Sequence, residues 1–496
     1  MLNAAQIKTL IDNDAASPKK QYAKVARRYY DGDHDIKKYR IFFVAKDGKV
    51  YEDTTKSNAR ISRLFFTDLV DQGAQYFMSG KGKIVNSDDP ALQKQLDLYF
   101  NNGAFRKQLH DILVGCEIDG DAYAYAYKKA DGRTAFMYAE SGGVVEVRKN
   151  ETDDGCEYII YWYIDRIGKD NKKIKRIQVW DSKQVAFFCQ EGDGPIVPDT
   201  SEKINPAPHI IYTKDGEDGA YADDYGLIPF FRLDNNRKRR SSLHRTKDHI
   251  DDYDIMNSGL TNNIKDAAEV VVLVRGYDGD DLDELIFNMR NKKQISTPTA
   301  NDNVEFRTID IPVEARVKKM EIDQHNIYHD GRGVDIEALK DSNATVSVGV
   351  KATYFGLDMR CDEMRTNVEQ FMESLVQVAL NEINRENETD YTLSDVYFDF
   401  DRESITNTLE KAQVELAKAQ TRQAEIMTLL SVETKLDHET LMKEICDRFD
   451  IDYEEIKDKL PDPEEDADPY AAAAAGSTLA SITPEDDMDA GGDVIE

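Results

Sequence analysis

Residues 241–276 read SSLHRTKDHIDDYDIMNSGLTNNIKDAAEVVVLVRG. Within them Ile250, Tyr253, Met256, Leu260, Ile264, Ala267 and Val271 recur mostly at spacings of three and four. That periodicity predicts one long helix over 241–275 with a single apolar stripe, ended by Gly276. Ser241 and Ser242 stand where its N-cap belongs. A second helix is predicted over 312–331, opened by Pro312, carried by Val313, Val317, Met320, Gln324 and Ile327, and stopped by Gly331. The insert between them, 276–311, reads as helical at Leu282–Met289 and as strands near Gln294–Thr297 and Val304–Ile309. After it comes GRGVDIEALKDSNATVSVG, residues 331–349, polar and glycine-bounded, with no apolar stripe.

The pattern changes on either side. Residues 1–110 read as mainly helical, with an apolar stripe at Ile61, Leu64, Phe65, Leu69 and Val70. The Tyr29–Asp33 turn closes an opening helix. Between 120 and 233 the period becomes two: Ala122-Tyr123-Ala124-Tyr125-Ala126-Tyr127 alternates, and Tyr158–Tyr163 and Val185–Phe188 are β-branched and aromatic, so this region reads as β-rich. A long helix is predicted from 350 to about Arg385 on Leu357, Cys361, Met364, Val368, Phe371, Leu375 and Val378. Tyr391–Phe400 reads as one strand and 405–460 as helices. Residues 461–496 hold eleven acids and no Lys or Arg, the composition of a disordered acidic tail.

The 496 residues carry 64 basic and 95 acidic side chains, a formal net charge of -31. Such a balance argues against a classical nucleic-acid binder, which needs surplus cations to displace counterions from phosphates. Cys116, Cys156, Cys189, Cys361 and Cys446 are scattered and never form a CxxC pair, as expected of reduced thiols in a cytoplasm. No apolar h-region opens the chain, and the longest strongly apolar run, Val270–Val274, is far too short to span a membrane.

Several local patterns resemble sites without meeting their chemistry. Ser79-Gly80-Lys81-Gly82-Lys83 lacks the first glycine of a P-loop and the Ser or Thr after its Lys, and reads as an exposed turn. Asp31-Gly32-Asp33-His34-Asp35 and Asp278-Gly279-Asp280-Asp281 put Ile36 and Leu282 where calcium loops need other residues, and read as solvated turns. His244 and His249 lie five apart, which does not stack two ligands on one helical face, so His249-Ile250-Asp251-Asp252 reads as a polar face. No nucleophile, metal set or cofactor motif emerges.

In order and spacing, however, the chain resembles the portal proteins of tailed bacteriophages, in the long-tailed branch. The resemblance rests on Pro229-Phe230, Asn235-Asn236, Ser241-Ser242-Leu243, Ile250–Asp254, Ser258, Asn262-Asn263, Gly276–Gly279, Ile311–Ala315, Ile327-Tyr328 and Gly331–Asp335. Arg28–Gly32, Val70–Gly80 and Leu430–Thr434 extend it, so that it covers most of 20–460. It implies an α+β, ring-forming fold, with mainly helical stem and crown, a mixed α/β wing and a small α/β clip. The wing would be 1–240, the stem helices 241–275 and 312–331, and the clip 276–311. The channel loop would be 332–349, a helix and strand returning to the wing 350–404, and the crown 405–460.

On this resemblance the chain is a conduit at one capsid vertex, typically of twelve subunits, through which double-stranded DNA passes without sequence-specific binding. The resemblance implies no enzymatic activity, cofactor or metal, and a place in the virion after assembly in the host cytoplasm. Lys340, Asp341, Ser342, Asn343, Ala344, Thr345, Val346 and Ser347 would face the DNA. Asp280, Asp281, Asp283, Glu284, Asn288, Arg290, Lys292 and Lys293 would dock the terminase large subunit and the head–tail adaptor. Major capsid protein and scaffolding protein are further implied partners. Another acidic phage structural protein, adaptor or minor capsid, and a carboxylate-based enzyme are the competing readings.

Two features depart from the family pattern: the acidic tail, and Arg237, Lys238, Arg239 and Arg240, which form an unbroken basic run. Cations just ahead of a helix N-terminus oppose its dipole, so helix stability does not account for them. A solvated turn, a belt pairing with acidic surfaces of neighbouring subunits or capsid, and a DNA contact are the three readings, with the assembly belt preferred.

Overall fold

The computed structural model describes residues 2–46, 48–54, 56–129, 132–149, 155–167, 172–212, 221–267, 271–275, 303–307, 312–335 and 347–402, with short pieces between 416 and 446. The chain divides into two compact units, 1–404 and 405–496. In the second, residues 416–421 are helical; the remainder of the expected crown, like the tail, lies outside the described residues.

Two helices open the first unit, α1 (Ala4–Ala16) and α2 (Pro18–Tyr30). Asn3 and Gln6 cap α1 reciprocally, and Ser17 caps α2 with Pro18 in its first turn, so the chain breaks and restarts without an orphaned N-terminal turn. A short hairpin follows, β1 (Phe42–Val44) and β2 (Val50–Glu52), then α3 (Phe65–Phe77), β3 (Val85–Asn86), α4 (Pro90–Tyr99) and α5 (Gly103–Asp119). Ile61 and Leu64 belong to the extended chain before α3 and are exposed; the buried face is Phe65, Phe66, Leu69, Val70, Ala74 and Phe77.

The β-rich middle is two antiparallel sheets. β4 (Asp121–Lys128) lies between β5 (Thr134–Ala139) and β14 (Phe230–Asp234). β6 (Val144–Arg148), β7 (Cys156–Ile167), β8 (Lys172–Trp180) and β9 (Gln184–Glu191) run in sequence order, with β10 (Val197–Pro198) and β11 (Ala207–Pro208) on β9. A small pair, β12 (Ile210–Tyr212) and β13 (Tyr221–Asp223), stands apart. The period-two pattern assigns the faces. Ala122, Ala124 and Ala126 join the core formed with α4, α5 and the long C-terminal helix, and small side chains there let helix and sheet approach closely. Tyr123 and Tyr125 point the other way and meet Val144, Ile159, Trp180 and Phe230 of the sheet interface. One residue on, Val145, Ile160, Val179 and Ala186 cover Ile7 and Ile11 of α1. The layers therefore run α1, larger sheet, smaller sheet, helices.

Residues 241–276 fold differently from their periodicity. Ser241 caps a 3₁₀ turn, Ser242–Arg245, and helix α6 runs from Lys247 to Ala267, not from 241 to 275. Val271–Arg275 is strand β15, paired antiparallel with β16 (Asn303–Arg307). The cause is composition: Val271, Val272 and Val274 lose rotamer freedom in a helix and suit a strand, and this outweighed the stripe's last position. The strand expected at Val304–Ile309 is β16, and its partner was hidden in the predicted helix. Helix α7 (Val313–Asp330) agrees with expectation, with Pro312 at its N-cap and Gly331 at its C-cap. The predicted elements Leu282–Met289 and Gln294–Thr297, and the clip residues from Asp280 to Lys293, lie outside the described residues.

Helix α8 spans Ser347–Asn387, so the loop expected over 332–349 ends before Ser347, which is helical. Lys340–Val346 lie outside the described residues. The single strand expected at Tyr391–Phe400 is a 3₁₀ turn, Leu393–Asp395, and the two-residue β17 (Tyr397–Phe398), because Thr392 and Asp395 form a capping box that bends the chain away from β geometry.

Candidate functional site

The helix pair α6–α7 is the feature to which many of the family-like residues belong. Its base is packed by Ile250, Phe65, Val70, Leu243 and Ile327. Tyr253 and Tyr328 meet the Phe65 ring edge-on at 4.8 and 5.9 Å. Across the pair, Lys319 bridges Asp252 and Asp323, and His249 lies between Asp323 and Asp330 at 3.7 and 3.5 Å. His249 therefore faces α7 and is more than part of a solvated polar face.

One edge of α6 holds an extended strap, residues 57–63, through a regular polar ladder. Asp254 Oδ1 accepts from the Arg63 N–H at 2.9 Å, Ser258 Oγ from Ile61 at 3.0 Å, Asn262 Oδ1 from Ala59 at 2.6 Å and Asp266 Oδ1 from Ser57 at 3.2 Å. The geometry explains the spacing. Four helical residues rise about 6 Å, and two extended residues about 6.6 Å. An i, i+4 row of acceptors thus matches every second amide of a strap running antiparallel to the helix. Ser258 and Asn262 are visible in the sequence as polar interruptions of the stripe, but nothing local reveals their partners.

The first rung has a second function. His34 is fully buried and stacks on Tyr29, ring centres 4.4 Å apart. Its Nδ1 lies 2.6 Å from Asp254 Oδ2 and its Nε2 3.1 Å from the Tyr29 carbonyl. The Asp31–Asp35 turn is therefore not simply solvated: it drives a histidine into the base of α6. Beside it, Tyr29 donates to Asp251, and Lys247 joins Asp251 to Asp35. Burial works to raise Asp35, but Arg28, Lys247 and Tyr29 outweigh it and hold the carboxyl at about 2.

At the end of α7 the Gly331–Val334 turn is clamped to α3. Gln72 Nε2 donates to the Val334 carbonyl and Gln72 Oε1 accepts from its N–H, both at 2.8 Å. A Cβ at Gly331 would lie 2.6 Å from the Leu69 side chain, and one at Gly333 closer still, so buried Leu69 would have to move. Arg360 of α8 donates to the Leu69 carbonyl at 2.9 Å and pairs with buried Glu117. The expected loop thus leaves from a clamped root; Leu69 stood in the expected apolar stripe and Gln72 in a family-like stretch, but their contacts with this turn, and Glu117 and Arg360 altogether, were not read from the sequence.

The basic run is split by its backbone. Arg239 has φ of 51°, in the left-handed region. Its side chain turns inward, 3.4 Å from Glu146 and 4.0 Å from Asp121. Burial tends to raise Glu146, but Arg232, Arg239 and Arg148 overcome this and hold it at about 2. Arg240 leans on His244, while Arg237 and Lys238 are exposed and have no ion pair among the described residues. A continuous four-residue belt is therefore not what folds: Arg239 serves an intrachain anion cluster.

Among the described residues no group of His, Cys, Asp and Glu could hold a metal ion, and no helix is long and apolar enough to cross a membrane.

The family model for phage portal proteins of the SPP1 Gp6-like type matches residues 9–448. The chain belongs to that family. Its match takes in the helix pair, the insert, the clamped turn and α8. Over 336 residues the chain is 24% identical to the portal protein of Bacillus phage SPP1, covering 68% of this chain and 65% of that relative, just under two thirds of the relative's length. Over 430 residues it is 23% identical to the portal protein of Clostridium phage phiCD119, covering 82% and 88%. Two solved structures also align: the neck of an empty GTA particle computed with C6 symmetry and that of a native particle computed with C12 symmetry. Their TM-scores are 0.40 and 0.36 at 10% and 12% identity, over 72% and 77% of this chain and 86% and 90% of theirs.

Proposed function

We propose that the chain is the subunit of a ring at one vertex of a tailed-phage capsid, a conduit for double-stranded DNA during packaging and ejection with no catalysis of its own. The portal-family match over 9–448 carries this reading. The order of parts supports it: a braced helix pair as stem, an insert closed by β15 and β16 as clip, and a loop between the clamped turn and α8 as the channel contact.

The physics of a conduit favours such a chain. DNA that must slide should not be held, and each Lys–phosphate contact adds affinity through counterion release. A chain of net charge -31 avoids that grip, and its repulsion reaches a Debye length of about 8 Å. In this reading the loop 340–346 follows the duplex, mostly with small and polar side chains, Asp341, Ser342, Asn343, Ala344 and Thr345. The insert, from Asp280 to Lys293, docks the terminase large subunit and later the adaptor, and the wing meets major capsid and scaffolding protein. Assembly takes place in the host cytoplasm and the ring remains in the virion. Arg237, Lys238 and Arg240 remain assembly contacts, without Arg239.

The test replaces residues 340–346 by a Gly-Ser linker of equal length in a phage complementation assay. Capsids with normal portal content and little packaged DNA are expected. Normal packaging would refute the conduit role of the loop.

A further inference from the structure

We propose that the β1–β2 hairpin is a docking surface for a second copy of this chain. The inference rests on the ring reading above and names the contact it uses.

The hairpin exposes an unusual amount of apolar surface. Phe42, Phe43, Val44, Val50 and Tyr51 are between 46% and 71% exposed, and every residue of both strands is exposed. A lone two-stranded hairpin is at best marginally stable in water, and contiguous apolar surface of this kind marks an interaction site. Among the described residues neither strand pairs with a third, so both outer edges are open to one.

The hairpin is nevertheless held in place. Its outgoing arm is the strap of residues 57–63, bonded at four amides to α6. Its incoming arm is tied to the same strap: Lys37 donates to the Arg60 carbonyl and Arg60 to the Lys37 carbonyl, both at 3.1 Å, and Asn58 donates to the Tyr39 carbonyl at 3.3 Å. Anchoring of both arms preorganises an apolar tip and lowers the entropy lost on docking.

Charge selects the occupant. Residues 37–60 hold seven cations (Lys37, Lys38, Arg40, Lys46, Lys49, Lys56, Arg60) and three anions (Asp47, Glu52, Asp53), a formal +4. With the whole chain at -31, the remainder carries -35. A basic, apolar element on an acidic protein finds its complement on another copy of that protein, where opposite potentials also steer the encounter. The chain offers an apolar surface on α8, Phe355 and Met359, 64% and 40% exposed and one turn apart, next to the exposed Asp362 and Glu363, which pair within the chain with Arg402 and Arg332.

The experiment compares the full-length chain with the variant Phe42→Ser, Val44→Ser, Val50→Ser by native mass spectrometry, with far-UV circular dichroism and melting temperature as folding controls. All three side chains are exposed, so the monomer is expected to keep its spectrum. Rings in the parent and a loss of at least tenfold in ring fraction in the variant support the proposal. A second readout is hydrogen exchange of amides 42–44 and 50–52, expected to slow in the assembled fraction relative to monomers. Rings of equal abundance in the variant, or unchanged exchange at those amides, overturn the hairpin contact and leave the ring reading standing. A parent that never assembles overturns both. Binding of the hairpin to vesicles of phosphatidylglycerol, lost in the variant while ring fraction is unchanged, overturns the choice of a second copy.

Discussion

Replacing Asn262 by alanine tests the strap ladder at a single rung. The side chain accepts the Ala59 N–H at 2.6 Å and no other described contact of that amide replaces it. Losing a neutral hydrogen bond costs about 1 kcal/mol, and leaving a half-buried N–H without an acceptor adds to that, so about 1–2 kcal/mol of local protection should vanish. At 1.4 kcal/mol per factor of ten, the Ala59 amide should exchange roughly 5- to 30-fold faster, while Ile61 and Arg63 change little. The parent protein makes a sharper prediction. Amides 57, 59, 61 and 63 have side-chain acceptors on α6, and those of 58, 60 and 62 have none among the described bonds. Residue-resolved hydrogen exchange should therefore alternate along the strap. Uniform exchange across 57–63, or an unchanged Ala59 rate in the variant, would refute the ladder.

Other consequences can be measured separately. Glu146, held at about 2 against an ordinary 4.5, contributes stability above pH 4.5 that is lost as pH falls towards 2. Thermal melts should show that loss, at most about 3 kcal/mol, and Glu146→Gln should flatten the acid limb; an identical limb would count against the cluster. His34→Ala removes a buried hydrogen bond to Asp254 and should cost on the order of 1–3 kcal/mol in urea denaturation, with a loss below about 0.5 kcal/mol contradicting the buried contact. Gly333→Ala drives a methyl group into Leu69 and should lower the melting temperature by several degrees; in a Leu69→Ala background, itself destabilised by the lost core side chain, the same substitution should cost less, and a neutral single substitution would argue against the clamp.

The sequence disclosed these features unevenly, for physical reasons. Period-two alternation at Ala122–Tyr127 identified a strand and its two faces, because one face had to be small and the other aromatic. Pro312 and Gly331 bounded α7 because each is a strong local signal. The end of α6 was misread because Val271 continued a helical stripe while belonging to a β-branched run, and only pairing with Asn303–Arg307 decides between the two. The rungs of the ladder, the His34–Asp254 contact at 220 residues' separation and the Gln72–Val334 pair at 262 were illegible, since each joins a polar side chain that looks solvated alone to a group far away in the chain. The split of the basic run was illegible for a related reason: four cations in a row look like one patch until a left-handed residue turns Arg239 inward.

Whether this portal-family chain closes into a ring around DNA is tested most directly by electron micrographs of the purified full-length protein, classified by symmetry. Closed annular particles with an open centre wide enough for a duplex, roughly 20 Å or more, are expected; the helix pair needed to line such a channel is about 30 Å long for the 21 residues of α6. A protein that stays monomeric or dimeric at every salt concentration and protein concentration tried would contradict the account.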